Sequence, residues 1–128
     1  MNKIKFNLPW DKLNDPVFTT IRSWDKAKEE YYRSHIYQKY QVWKAKNSYP
    51  FRTQYVLFHA YLEKIEVVKP SEIPLPILKK DTTINGSESL EWAVKILRNE
   101  KVIILTFTKS PPKIQQILPI MEVENGSI

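Results

Sequence analysis

Apolar positions change period several times along the chain, and each change predicts an element. Residues 17–24 (VFTTIRSW) are rich in β-branched and aromatic side chains and lie between Pro16 and Asp25, which predicts a strand. Trp24, Ala27 and Tyr31 then recur every three to four residues. Ser23 or Asp25 is placed to accept the free amides of a first turn, and Glu29 and Glu30 sit near its positive end. The pattern predicts a helix over residues 25–36. Residues 37–45 form a second β-rich run, residues 46–50 (KNSYP) supply turn chemistry, and a long run over 53–68 follows. There Val56, Phe58, Ala60 and Leu62 alternate with Tyr55, Leu57, His59 and Tyr61, so both faces are largely apolar. A strand buried on both sides, or one curling through a small closed barrel, has this pattern.

Prolines punctuate the rest. Pro9 and Pro16 interrupt residues 1–16, which read as an N-terminal arm or edge strand. Pro70, Pro74, Pro76 and Gly86 make residues 69–86 a long loop with at most one helical turn after Ser71. Leu90, Ala93, Val94 and Leu97 then fall at i, i+3, i+4 and i+7, the stripe of a second helix capped by Asn85 or Ser87. Residues 101–108 (KVIILTFT) predict a central strand, ended by Pro111 and Pro112. Residues 111–128 form a proline-containing tail in which 117–123 could add an edge strand or dock on a partner. The central domain therefore spans residues 17–110.

Composition narrows the function classes. With 128 residues, 42% hydrophobic and 27% charged, the chain is one compact domain with no stretch near the ~20 apolar residues that span a bilayer. The first residues lack the apolar core of a signal peptide, so a cytoplasmic, membrane-free protein is expected. There is no cysteine and there are two histidines, His35 and His59, which excludes disulfides, thiol nucleophiles and cysteine-based metal sites. Neither metal nor cofactor is expected, and no phosphate-binding loop, dinucleotide fingerprint or calcium loop is present.

Charge adds a direction. Residues 1–60 hold eleven Lys or Arg against five Asp or Glu, which accounts for the whole net charge of +6. Between Glu30 and Glu63 there is no carboxylate, while Arg33, Lys39, Lys44, Lys46 and Arg52 are interleaved with aromatics such as Tyr49. Cations neutralise phosphates and aromatic faces stack on unpaired bases, so RNA or another single-stranded nucleic acid is the expected partner. The same mixture also suits a β-sheet whose aromatics face the core and whose lysines face water.

Phe18-Thr19-Thr20-Ile21-Arg22, followed by a helix carrying Tyr31, Tyr32 and Arg33 and a strand over 40–43, resembles the ASCH family over roughly residues 17–109. The resemblance implies an α+β fold, a small PUA-like mixed β-barrel flanked by two α-helices, and an association with RNA. Some small members are amidohydrolases that act on acetylated cytidine through a threonine, a lysine and an acidic residue. Thr20 matches the threonine, Arg22 the arginine of the signature, and Asp81 lies in the loop where the acid is expected. The lysine that enzymatic members place three residues before the threonine falls on Val17 here, and where the family often has a Gly-Asp pair after the helix this chain has Tyr37-Gln38-Lys39-Tyr40. Lys26 and Lys80 are the alternatives for the missing amine.

The expectation is a basic protein that binds RNA in a cleft between barrel and helices. Arg22, Lys44, Lys46 and Arg52 would contact phosphates or base edges, and Trp24 or Tyr49 would stack. Trp24 would equally serve to anchor the first helix. The alternatives are a hydrolase, either an amidohydrolase centred on Thr20 with Asp81 or a ribonuclease, and a protein-interaction module that uses its tail.

Overall fold

The computed structural model describes residues 2–6, 10–48, 51–84, 87, 88 and 90–111. The predicted tail and Tyr49 lie outside these, apart from the tail's first residue, Pro111. Seven strands and three α-helices follow in the order β1 (Asn2–Phe6), β2 (Val17–Ser23), α1 (Lys26–Ser34), β3 (Lys39–Ser48), β4 (Phe51–Val68), α2 (Leu75–Thr82), β5 (Thr83–Ile84), β6 (Ser87–Glu88), α3 (Leu90–Leu97) and β7 (Val102–Thr108). Five strands make one mixed sheet in the order β1-β3-β4-β7-β2, with β1 parallel to β3 and every other pair antiparallel; β5 and β6 form a separate short ladder. The molecule is thus a small α+β domain. No helix among the described residues is long and apolar enough to cross a membrane.

The curl of the sheet follows from β4. Its first half pairs with β3 up to Tyr61, and its second half, from Tyr61 to Val68, pairs with β7, with a register shift between Leu62 and Lys64. A bulge of this kind bends a strand and sharpens its twist. The concave face collects Ile4, Phe6, Phe18, Tyr40, Val42, Ala60, Leu62, Ile103, Leu105 and Phe107. Phe18 is its hub, stacked on Phe107 at 5.5 Å and meeting Phe6 and Phe58 edge-on at 6.2 and 5.8 Å. Such ring pairs add about 0.5–1.5 kcal/mol each beyond their buried area. On the convex face Ile21, Val102 and Ile104 pack against Ile73 and Ile96, which brings α2 and α3 over β2 and β7.

The sheet is not closed by a strand ladder. Its two edges, β1 and β2, meet through side chains, with Phe6 against Phe18 and Arg22 Nη2 donating to the Lys5 carbonyl at 2.9 Å. Residues 10–14 fill the seam. A 3-10 turn over Asp11–Asn14 buries Leu13 and Lys12, and Trp10 joins the concave cluster. Lys109 fastens this segment from the other end of the chain, donating through Nζ to the Leu13 carbonyl at 2.7 Å and through its backbone N–H to Pro16 at 2.9 Å.

Three local features depart from the sequence pattern. The proline-rich stretch after β4 carries α2 in place of a loop, because Pro74 precedes the helix and Pro76 sits in its first turn, where a missing N–H leaves no bond unmade. α3 forms where the stripe places it but turns a different face inward: Ile96 is buried and Trp92 half-buried, while Val94 and Leu97 are exposed. Trp92 decides this, since it packs at 6.1 Å against Trp10 of the seam and touches both clusters. The third is β4, which is not buried on both faces over its first half. Tyr55, Val56 and Leu57 are exposed because β7 begins to pair only at Tyr61, leaving β3 as the sole strand neighbour there among the described residues.

α1 runs along the surface with no buried residue, capped by Asp25, whose carboxylate accepts the Lys28 N–H at 2.7 Å. Its return to β3 passes through Tyr37 at φ 65°, with the Tyr37 N–H bonded to the Leu62 carbonyl at 2.6 Å. A left-handed conformation costs a residue with a Cβ roughly 1–2 kcal/mol.

Candidate functional site

β2 organises two polar groups. Thr19 projects towards α2, where its hydroxyl donates to Asp81 Oδ2 at 3.0 Å. The other oxygen of Asp81 is paired with Lys12 Nζ at 2.5 Å. Both partners are sealed from water, with side-chain exposures of 4% for Lys12 and 0% for Asp81. The ammonium also lies 4.7 Å from the Trp10 ring centre and 5.6 Å from that of Phe6. Burial pulls the Lys12 pKa down and pushes that of Asp81 up, and each shift is partly offset by the other's charge. The salt bridge keeps the ion pair in a place where either charge alone would be expelled.

Sequence reasoning did not single out Lys12. It assigned residues 1–16 to an arm and looked for the missing amine at Lys26 and Lys80. Lys26 is exposed, and Lys80 lies 3.9 Å from Asp15 on the surface. The lysine that meets the acid comes from the 3-10 turn, 69 residues away in sequence. A signal was present in its neighbours, since Trp10 and Leu13 flank it with the apolar surface that buries a lysine stem.

Thr20 and Arg22 face the concave side. The Thr20 hydroxyl is buried and accepts from Arg22 Nε at 3.1 Å, and the guanidinium lies 4.8 Å from the Phe6 ring centre. All these partners are neutral. Burial lowers the Arg22 pKa, with Tyr32 and Asp81 opposing the shift, but an arginine stays cationic throughout the accessible range.

Arg22 also lines an open cleft of about 210 Å³ at the end of β2. Its floor is made by Ile21, Ile96 and Val102 of the convex core, α1 contributes Lys28 and Tyr32, and α3 contributes Trp92, Lys95 and Asn99. Three cations and no carboxylate line it. Lys28 is positioned by Ser23 Oγ at 2.9 Å and by Asp25 at 3.9 Å, and Lys95 Nζ lies 5.4 Å from the Trp92 ring centre. Burial raises the Tyr32 pKa, which keeps the phenol a neutral donor. The Trp92 indole N–H is buried with no hydrogen-bond partner among the described residues.

The remaining expected ligands fall in different places. Trp24 lies just past β2, its indole N–H donating to Glu29 at 2.8 Å and its face covered by Lys101 at 4.9 Å, so it ties α1 to the end of the sheet. Lys44 is half-buried on β3, in register with Phe6 of β1, and Lys5 beside it is the residue whose carbonyl Arg22 holds. Lys46 and Arg52 are placed by backbone register alone, opposite Thr53 and Asn47 in the β3–β4 hairpin. The cleft therefore joins Arg22 to two cations, Lys28 and Lys95, that the sequence reading did not single out. Comparisons with family models, curated proteins and solved structures return no match to this chain.

Proposed function

We propose that this protein binds RNA or another single-stranded nucleic acid in the cleft between the sheet and α1 and α3, as an ASCH-like domain whose sheet is an open form of the PUA-like barrel. The observation that carries the reading is the lining of the cleft: Arg22, Lys28 and Lys95 converge beside Tyr32 and Trp92 with no carboxylate among them. Cations placed beside aromatic rings meet the two demands of an unpaired nucleotide, charge neutralisation and stacking. The open barrel is supported by the way Arg22 and Phe18 bring the β2 edge against β1. A further support is Tyr37, whose left-handed backbone opens the stretch, residues 37–40, where the family pattern has a Gly-Asp pair.

The test is binding of fluorescent single-stranded RNA, duplex RNA and single-stranded DNA across a salt series. Single strands are expected to bind, with log K falling by about 0.7 per phosphate contact for each tenfold rise in salt, and the slope is expected to shrink in Lys28→Ala and Lys95→Ala. No binding at low salt by any of the three would overturn the reading.

A hydrolase is the second reading, favoured by one observation: Lys12 and Asp81 stand together beside the Thr19-Thr20 pair, which restores the amine that Val17 does not provide. Turnover of N4-acetylcytidine that disappears in Thr20→Val would support it. A threonine hydroxyl sealed behind Arg22 needs that side chain to move before substrate can reach it.

A further inference from the structure

The size and charge of the cleft go further than single-strand binding, and the argument rests on the reading just given. A groove that tracks a strand holds several nucleotides, whereas about 210 Å³ is below the roughly 300–1,000 Å³ of sites that enclose a drug-sized ligand. Ile21, Ile96 and Val102, all buried in the convex core, line its inner wall. It has room for one nucleotide unit.

Charge specifies which part of a strand that unit comes from. An internal phosphodiester carries one negative charge, but a phosphomonoester carries close to two at neutral pH because its second pKa is about 6. Arg22 lines the cleft with its guanidinium held by Thr20 and the Lys5 carbonyl, and the exposed Lys28 and Lys95 reach it from α1 and α3. Three cations lining so small a cleft are matched to the dianion. Tyr32 and Trp92 add aromatic side chains to the lining, beside which a base can lie.

We infer that the cleft takes a nucleoside phosphomonoester, presented either by a free mononucleotide or by the phosphorylated end of an RNA strand. The test uses the full chain in calorimetric titrations with the four ribonucleoside 5′-monophosphates, the corresponding nucleosides, inorganic phosphate, a phosphotyrosine peptide, and one RNA oligonucleotide prepared with hydroxyl ends, with a 5′-phosphate and with a 3′-phosphate. The expected result is at least about tenfold tighter binding of one phosphorylated form than of its unphosphorylated counterpart, the size of a charge-assisted hydrogen bond. That advantage should fall in Lys28→Ala and Lys95→Ala, whose parent side chains are exposed and removable without unfolding the chain, and persist in Lys64→Ala, outside the cleft. It should also decline as pH is lowered through about 6, where the phosphate takes up its second proton.

If a mononucleotide shows the advantage and the oligonucleotides do not, the source is a free nucleotide; the reverse assigns an RNA end. RNA that binds equally well with hydroxyl and phosphate ends, when no mononucleotide binds more tightly than its nucleoside, overturns this inference and leaves single-strand binding standing. Inorganic phosphate or the phosphopeptide binding as tightly as any nucleotide also overturns it, since the site would then read the anion alone. Absence of binding by nucleotides and RNA alike removes both readings.

Discussion

The two polar groups built on β2 differ in how they treat charge. Around Thr19, one cation meets one anion in a place water does not reach, and the group is complete within the chain. Around Arg22, cations gather at an open cleft without an acid among them. The first arrangement makes the fold depend on its charges, because either partner left alone would be a buried ion. The second has no buried ion pair: Arg22 holds the Lys5 carbonyl, and Lys28 and Lys95 stand exposed at the cleft, so removing either lysine leaves no stranded charge. Four residues of one strand therefore separate a sealed ion pair from a cleft lined by cations.

The largest test of this contrast is Lys12→Met. It strands Asp81 in the interior and is expected to cost about 3–5 kcal/mol in urea unfolding near neutral pH, while Lys12→Met with Asp81→Leu should recover most of the loss. A loss below about 1 kcal/mol for the single variant would show that the pair is no more than a surface contact. The deficit should shrink in acid. Asp81 has a folded pKa raised above 3.8, so the penalty for its charge is absent below 3.8 and grows as pH rises through the folded value; without Lys12 that value moves higher still. The parent gains less over the same range, because the Lys12 charge offsets part of the rise in its Asp81 pKa. Unfolding curves collected from neutral pH towards 3.8 should therefore converge.

Thr19→Val comes next. It leaves Asp81 Oδ2 without its hydroxyl donor and should cost about 1–3 kcal/mol with no change in nucleic-acid affinity. The smallest stability effects belong to Lys28→Ala and Lys95→Ala, expected within about 0.5 kcal/mol of the parent, while their salt slopes for RNA fall. A cleft variant that unfolds the protein, or a Thr19 variant that loses RNA binding selectively, would break the division of labour.

Much of the frame was legible because it depends on local pattern. Residues 17–24 become β2, 101–108 become β7, and α1 starts from the Asp25 cap read in the sequence. What was not legible depends on distance. Nothing near Lys12 distinguishes it from a solvated lysine except Trp10 and Leu13, and its partner lies 69 residues on. The face of α3 was misread for a related reason: the stripe Leu90, Ala93, Val94, Leu97 has the right period, but Trp92 finds Trp10 across the seam and rotates the helix to suit. The run around Lys44 and Arg52 attracted attention by its charge density, whereas Lys28 and Lys95 stand on two helices 67 residues apart and meet only through the fold.

The long hairpin of β3 and β4 has one more consequence. Beyond Lys44 on one strand and before Tyr61 on the other, its outer backbone edges pair with no strand among the described residues. A ribbon of this kind, with Tyr55, Val56 and Leu57 exposed on it, is a template for adding strands from another copy of the chain. Lys44, Lys46 and Arg52 occur along it and no carboxylate does, so two ribbons approaching edge to edge bring like charges together. The basic span that first suggests a nucleic-acid surface thus has a second physical effect, which is to keep neighbouring molecules apart.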